Sequence, residues 1–554
     1  MKKTVRFLAA ALSLLLLAGC SSGGAPAASE DPAASGSSDP GTQVVEHSFT
    51  YAISSEPDYL DPAICMNSNT SAVLGQLYYP LFRYDENGSV QNLACESYSV
   101  SDDGLTYTFK LAPGNTWSDG KPVTAADYEY GMKRSIGYGP DSAYAYLLYS
   151  NVLGGAEANE QMLDVADMAD VGIHALDDET LEITLAAPCP YFVGLLSNVV
   201  AYPLRSDYAV EHESTWANDP AVPTNGPFRL EAVRDKEEVV MVKNEYYAHA
   251  DSVQTTTLTA KIITDSQAQL SAFQTGEIDL ALYVPSDVAV NYANDPALLN
   301  LDVVSNTFLW MNCTGETNPA LADVNVRRAL AMAIDREQLI TLIGANATKY
   351  PLYGYVPKGM ADADGGDFRS NADAEKRYAD YDLNEAKALM EAAGYNESNR
   401  MSLTISYIGS NTNTDICVGL QAMWKEIYVD VELSAAEQKA YAQARKAGQY
   451  EVATGSTSAD YLDPFYYLER WVSYNQGYKQ VNDPVYDQMI ENANLQSDAA
   501  ARMKMLHEAE EYLVAENAYT IPLFGSNQLY LMNPDVSGLK YDPTNSVYFD
   551  GLTY

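Results

Sequence analysis

The sequence predicts a layered α/β protein, and three observations carry that expectation. Two short segments, Leu105 to Leu111 and Leu181 to Leu185, alternate apolar and polar residues strictly, as half-buried strands do. Capped helix starts recur along the chain. In the second half, helices and short strands alternate, which favours α/β layers over an all-helical or all-strand architecture. Roughly five hundred residues beyond the N-terminal region exceed one typical domain, so two or three lobes are expected.

The N-terminus carries the first signal. Lys2, Lys3 and Arg6 precede an apolar run from Phe7 to Ala18, interrupted only by Ser13. A membrane-spanning helix needs about 20 apolar residues, so the run fits the core of a secretory signal peptide better. It ends in Leu17-Ala18-Gly19-Cys20, which resembles the bacterial lipobox. That resemblance implies a signal peptide over 1–19 and a lipid on the Cys20 thiol. Residues 20–43 are Ser, Gly, Ala, Pro and a few acids, a composition too poor in apolar groups to offset ordering entropy. The expectation is an extracytoplasmic protein tethered to the cell membrane by Cys20 and not crossing it.

Within the body of the chain, the turn Ser101-Asp102-Asp103-Gly104 leads into the strand at 105–111, with apolar residues on odd numbers. Thr124, with Asp127 three residues on, opens a helix in the manner of a capping box. Asp177-Asp178-Glu179 turns the chain into the 181–185 strand. Asp265 starts a helix that runs to Thr275 and stops at Gly276, and Ile278-Asp279-Leu280 then reads as a strand. Asp335 with Gln338 opens a helix bearing Leu339, Ile340 and Ile343 on one face. Asp382 with Glu385 opens another, closed by Gly394. Near Val452 the chain is again strand-like, and Asp463 before Pro464 is a normal helix start.

Composition excludes some functions. The formal net charge is −42, and removal of the three basic residues of the signal takes it to −45. Nucleic-acid binding requires a basic footprint, which this chain lacks. With Cys20 assigned to lipid, Cys65, Cys95, Cys189, Cys313 and Cys417 remain at irregular spacings; most read as small buried apolar residues, with one unassigned disulfide left open. Tyrosine is abundant, 42 against 12 Phe and 5 Trp, and its apolar ring with a hydroxyl handle suits wet binding surfaces.

A search for catalysis finds no HExxH motif, no GxSxG elbow, no phosphate loop and five scattered His. No cofactor or metal is expected, and the chain reads as a non-enzyme. Asp362-Ala363-Asp364-Gly365-Gly366-Asp367 superficially resembles a calcium loop, but its Gly spacing departs from the EF-hand pattern, so a solvated surface loop is expected. Asp460, three residues before Asp463, has no such local explanation and stands out as a candidate for function, a turn-forming role being the bland alternative.

The stretch from Leu111 to Asp127, containing Trp117-Ser118-Asp119-Gly120-Lys121-Pro122-Val123-Thr124-Ala125, resembles the signature of the oligopeptide/dipeptide/nickel class of solute-binding proteins of ABC importers. Further matches follow in the family's order. They are Tyr59-Leu60-Asp61-Pro62, Thr224-Asn225-Gly226-Pro227-Phe228, Thr275-Gly276-Glu277-Ile278-Asp279, Asp323-Val324-Asn325-Val326-Arg327-Arg328-Ala329-Leu330 and Ala459-Asp460-Tyr461-Leu462-Asp463-Pro464. The resemblance implies a periplasmic-binding-protein-like α/β fold with two ligand-enclosing lobes, a two-strand hinge near 305 and 525, and an inserted domain. Domain I would comprise 44–78, 205–305 and 526–554, domain II 79–204, and domain III 306–525, with closure by hinge bending.

It further implies capture of a short peptide without chemistry, through strand-like main-chain bonds, and delivery by a monomer to membrane permease subunits. Asp460 matches the family's acidic residue for the peptide ammonium. Arg445 matches one of two arginines that receive a peptide carboxylate, and Thr454 stands where the second would be. A family Cys pair is replaced by Asn306 and Ser458, and a family Trp by Gln438. Phe308, Trp310 and Asn312, two apart on a strand, and Tyr461 are candidates to line the cleft, with burial in the core as the equal alternative for each. An oligosaccharide or nickel chelate on the same fold, or a peptide sensor, are the rival readings; a secreted hydrolase lacks a catalytic constellation.

Overall fold

The computed structural model describes residues 46–554 apart from 58, 212–214, 285, 293–294, 376–377, 379 and 476–480. The expected signal segment over 1–19, Cys20 and the expected tether to 43 lie outside the described residues. From 46 onward the chain forms one compact unit.

The N-terminal strand is β1 (Ser48–Ile53). An insertion follows, with strands β2 (Cys95–Val100), β3 (Thr106–Leu111), β4 (Ile173–Asp177) and β5 (Thr180–Thr184), and helices α1 (Ala125–Gly137) and α2 (Tyr146–Tyr149). Then come β6 (Phe228–Arg234), β7 (Glu238–Lys243), β8 (Thr257–Ile262), α3 (Ser266–Gln274) and β9 (Leu280–Ala281). Beyond them lie β10 (Leu298–Met311), α4 (Arg336–Leu342), β11 (Lys349–Pro351), α5 (Leu383–Ala392), β12 (Met401–Ile408), β13 (Val429–Ala436) and β14 (Val452–Ser458). The last elements used below are α6 (Phe465–Leu468), α7 (Ala499–Glu511) and β15 (Thr520–Met532).

The expected local elements form for the expected reasons. Tyr107, Phe109 and Leu111 are buried on one face of β3, and Leu181 and Ile183 on β5. β2, β3, β5 and β4 make an antiparallel sheet in that order. Asp127 accepts from the Thr124 N–H at 2.8 Å, so the predicted capping box starts α1, whose Tyr128, Met132 and Ile136 are buried. Asp265, Asp335 and Asp382 each cap the helix predicted to follow them. The strand expected at 278–280 is shorter and sits one step later, at β9, because only Leu280 and Ala281 find partners on β1 and β15.

An eleven-stranded sheet runs through the unit in the order β13-β12-β14-β10-β15-β9-β1-β8-β7-β6, with β11 also on β15. Its centre is the antiparallel pair β10 and β15. They pair in two blocks, Leu298–Asp302 against 527–531 and Asn306–Trp310 against 520–525, with the register broken between. β9 and β1 extend the first block and β14 extends the second. At the break, the Val304 N–H donates to the Pro543 carbonyl (2.8 Å) and the Val304 carbonyl accepts from Ala459 N–H (3.1 Å). No backbone group of Val304 is left unmatched while the two strands change register.

The insertion docks through a charged and aromatic seam. Asp463 accepts two bonds from the Arg502 guanidinium, both 2.8 Å, and also from Phe465 N–H (2.9 Å) at the start of α6, as the Asp-Pro step predicts. Arg502 lies 5.5 Å from the Tyr191 ring of the insertion. Both ion-pair side chains are almost fully enclosed.

Removing Asp463 leaves the Arg502 charge enclosed without its partner and uncaps α6. Asp463→Ala is expected to destabilise by about 3–5 kcal/mol, read as a lowered urea midpoint. The Asp463→Asn, Arg502→Met double variant is expected to recover much of the loss. A single-variant midpoint equal to wild type contradicts a structural role for the pair.

Candidate functional site

β14 lies antiparallel to β10 with Gly455 opposite Phe308. A Cβ at Gly455 would stand 2.4 Å from Trp310 Nε1 and 2.8 Å from the Phe308 ring, so aromatic crowding requires glycine there. Phe308 packs against Trp310 and Tyr355, each with ring centroids 4.9 Å away, and Trp310 packs 5.0 Å from Trp471. Phe308 and Trp310 therefore share a face, as period two requires, but Tyr355 and Trp471 cover it. Of the two alternatives that the sequence left open for them, cleft wall or core, both are packed in the core.

Asn312 is also structural. Its amide donates to the Gly448 and Tyr450 carbonyls at 3.0 and 3.1 Å, and its carbonyl accepts from the Thr314 hydroxyl at 2.7 Å. Thr454 is buried, and its backbone carbonyl accepts from the Tyr441 hydroxyl. The Arg445 guanidinium sits 4.7 Å over the Trp310 ring. Tyr461, a candidate for either the cleft wall or the core, is buried; it stacks on Tyr191 at 4.9 Å and donates to Glu469 at 3.3 Å. It belongs to the seam with the insertion.

Asp460 differs from all of these. It follows β14, held in place by the bond from Ala459 N–H to Val304, and is only half-buried. The Tyr146 hydroxyl, carried by α2 of the insertion, donates to Asp460 Oδ2 at 2.5 Å. Tyr466 Oη lies 3.2 Å from the same oxygen and 3.0 Å from the Ser458 carbonyl. Arg470 donates to that Tyr466 hydroxyl and stands 4.3 Å over its ring. Burial, then the Asp460 charge, hold the Tyr146 and Tyr466 hydroxyls well above the ordinary phenol range, so both remain protonated donors. Among the described residues nothing donates to Asp460 Oδ1.

Asp460 lines a pocket of about 70 Å³ with Ser197, Asn198, Tyr202, Asp542 and Tyr548. Thr544 is shared between this pocket and a cavity of about 510 Å³. That cavity opens at the register break: Val303, Val304 and Ser305 of β10, Ser458 of β14, Lys349 of β11 and Ser526 to Leu529 of β15 contribute to its wall. Its volume falls within the range of small-ligand sites. Arg445, Thr454, Phe308, Trp310, Asn312 and Tyr461 are not among its lining residues.

Sequence reasoning missed Tyr146, Tyr466 and Lys349. The surplus of tyrosine was the available signal for the first two. Lys349 is the only basic residue between Arg336 and Lys358, a weak signal without the fold. The Asp362 loop uses its own carboxylates. Asp362 accepts from Asn371 (2.9 Å) and pairs with His507 (2.8 Å), Asp364 accepts from Gly366 N–H (2.8 Å), and Asp367 from Ser370 N–H (2.8 Å). Among the described residues, Cys65, Cys95, Cys189, Cys313 and Cys417 form no disulfide, so the one left open by the sequence is not made there.

Comparison with known proteins gives a consistent picture. The family described as bacterial extracellular solute-binding proteins, family 5 Middle, matches residues 89–479. The dipeptide-binding protein DppE of Bacillus subtilis is 30% identical over 498 residues, 89% of each chain. The unliganded open form of MppA, a periplasmic murein tripeptide binding protein, superposes with a TM-score of 0.78 at 25% identity, covering 92% of this chain and 97% of that one. A second structure of the Escherichia coli murein tripeptide binding protein MppA gives 0.68 at 25% identity, covering 92% and 98%.

The seam beside the pocket generates a pH dependence. Burial pushes the Glu469 carboxyl up to about 7, against the opposing pull of Arg470 and the Tyr461 bond. The native state therefore keeps a proton that the unfolded chain releases near pH 4.5, and this contribution to stability falls as pH rises from about 4.5 to 7. Glu469→Gln is expected to gain stability relative to wild type at pH 7.5 and to lose that gain at pH 4, measured by denaturation at both pH values. An unchanged difference between the two proteins contradicts the raised carboxyl.

Proposed function

We propose that this chain, which belongs to the bacterial extracellular solute-binding proteins of family 5, captures short peptides by their amino terminus at Asp460 and hands them to an ABC importer. The observation that carries the reading is the arrangement of that carboxylate. Two phenol groups fix one oxygen, the other is unclaimed by the described residues, and Asp460 is among the residues that line a pocket. A peptide amine has a pKa near 8 and is cationic at neutral pH. An enclosed carboxylate gives such a cation a charge-assisted hydrogen bond. Micromolar capture needs about 8 kcal/mol, within reach of one such pair and several main-chain bonds. The peptide ligands in the names of DppE and MppA support this cargo.

The better fit to the open form of MppA than to its second structure supports an open, cargo-receiving state. On this reading domain I is 44–78, 205–305 and 526–554, domain II is 79–204, and domain III is 306–525. β10 and β15 then form the hinge, and their broken register is the natural place to bend. Among the described residues no helix is long and apolar enough to cross a membrane. A lipid on Cys20 would hold the monomer at the cell membrane, as the lipobox-like sequence implies. Cargo leaves as it arrived, with no chemical step.

Calorimetry with free and N-acetylated peptides tests the Asp460 assignment. Asp460→Ala is expected to weaken free-amine peptides by about 1 kcal/mol or more, and wild type is expected to bind the acetylated forms poorly. Equal wild-type affinities for capped and uncapped peptides would sink it. Cys20→Ala is expected to release the protein from the membrane fraction; retention on membranes contradicts the lipid anchor.

A further inference from the structure

Asp460 is met from two directions. Tyr146 reaches it from the insertion, and Tyr466 reaches it from α6, six residues on in the same stretch of chain. The Tyr466 hydroxyl lies 3.2 Å from Asp460 Oδ2 and 3.0 Å from the Ser458 carbonyl. A phenol has one hydrogen to give. Whichever of the two oxygens takes it, the bond ties the segment 458–460 to α6.

That hydroxyl is itself held. Arg470 stands four residues after Tyr466, in the 3₁₀ turn Glu469–Trp471 that continues α6, and this spacing sets the two side chains on one face. Its guanidinium donates to the phenol oxygen and lies 4.3 Å over the ring. The buried Tyr466 ring also meets Tyr461 and Tyr467 nearly edge-on, at centroid distances of 5.0 and 5.4 Å. Trp471, the next residue, packs against Trp310 and Tyr355 at 5.0 and 5.3 Å, which fixes the backbone at 470 to the core. A cation donating to the phenol oxygen polarises its O–H and strengthens the bond that the hydrogen makes. The start of α6 is secured by other residues, since Asp463 caps it and Arg502 holds Asp463.

We propose that Arg470 is a positioning residue for cargo capture: through Tyr466 it holds the Asp460 carboxylate in the orientation that receives the cargo's ammonium. The assignment rests on the peptide reading above and deepens it. Arg470 touches no cargo. It acts on the aim of the acceptor, so its loss weakens ligands with a free amine and leaves capped ones unaffected.

The test is a double-variant cycle by calorimetry on the full chain, with di-, tri- and tetra-alanine, each as the free amine and N-acetylated. Arg470→Met is expected to weaken the free amines about fivefold and to leave the weak binding of the capped forms within roughly twofold of wild type. Arg470→Lys, which keeps a charged donor, is expected to recover part of the loss. Tyr466→Phe is expected to cost at least as much as Arg470→Met. Adding Arg470→Met to Tyr466→Phe is expected to cost less than about twofold more, because a residue that acts through the phenol then has nothing to act on. The assignment is overturned, and the peptide reading stands, if Arg470→Met binds free amines like wild type, if Arg470→Lys is as weak as Arg470→Met, or if the Arg470→Met loss is undiminished beside Tyr466→Phe. If wild type binds none of the peptides, or binds capped and uncapped forms alike, the Asp460 reading falls and the role of Arg470 with it.

Discussion

The architecture depends on two strands that cannot keep a single register. β10 and β15 pair over both of their ends but not in the middle, and each paired block belongs to a different half of the eleven-stranded sheet. A continuous ladder would make the sheet one stiff slab. The interruption at Val304 removes ladder bonds where the halves meet and transfers that residue's peptide groups to the 543 loop and to Ala459. The cavity and the Asp460 loop both lie at this interruption. Fold and site are thus consequences of one local mismatch, satisfied by hydrogen bonds from outside the pair.

Around that mismatch the protein spends its aromatic residues on rigidity. The Phe308, Trp310, Tyr355 and Trp471 rings fill the face of β10 beside the second block. Gly455 is the small residue that lets them approach β14. A packed ring cluster resists deformation, so this face of β10 is the stiff side of the break. The Arg502–Asp463 pair and the Tyr191–Tyr461 stack fix the insertion to the same half. Tyr146 is thereby delivered to Asp460 from an element more than three hundred residues away in sequence.

Local structure was legible in the sequence wherever it is set locally. Alternation at 105–111 and 181–185, and Asp or Thr at helix starts, express the period of a strand and the unsatisfied N–H groups of a helix end. Asp460 was legible by subtraction, since no turn or cap explained it. Side-chain direction at Phe308, Trp310 and Tyr461 was not. Periodicity says which residues share a face, and only the tertiary arrangement says what covers that face. Tyr146 and Lys349 were invisible for the same reason, because each gains its meaning from a partner distant in the chain.

The groups that steady Asp460 are phenols and not cations, and this has an electrostatic consequence. A guanidinium at the position of the Tyr146 hydroxyl would cancel the carboxylate's charge before any visitor arrived. A neutral donor fixes the oxygen in space and leaves the full negative charge in place. The wall of the pocket consequently carries a carboxylate held by neutral donors, with the nearest guanidinium, Arg470, kept one hydroxyl away on Tyr466.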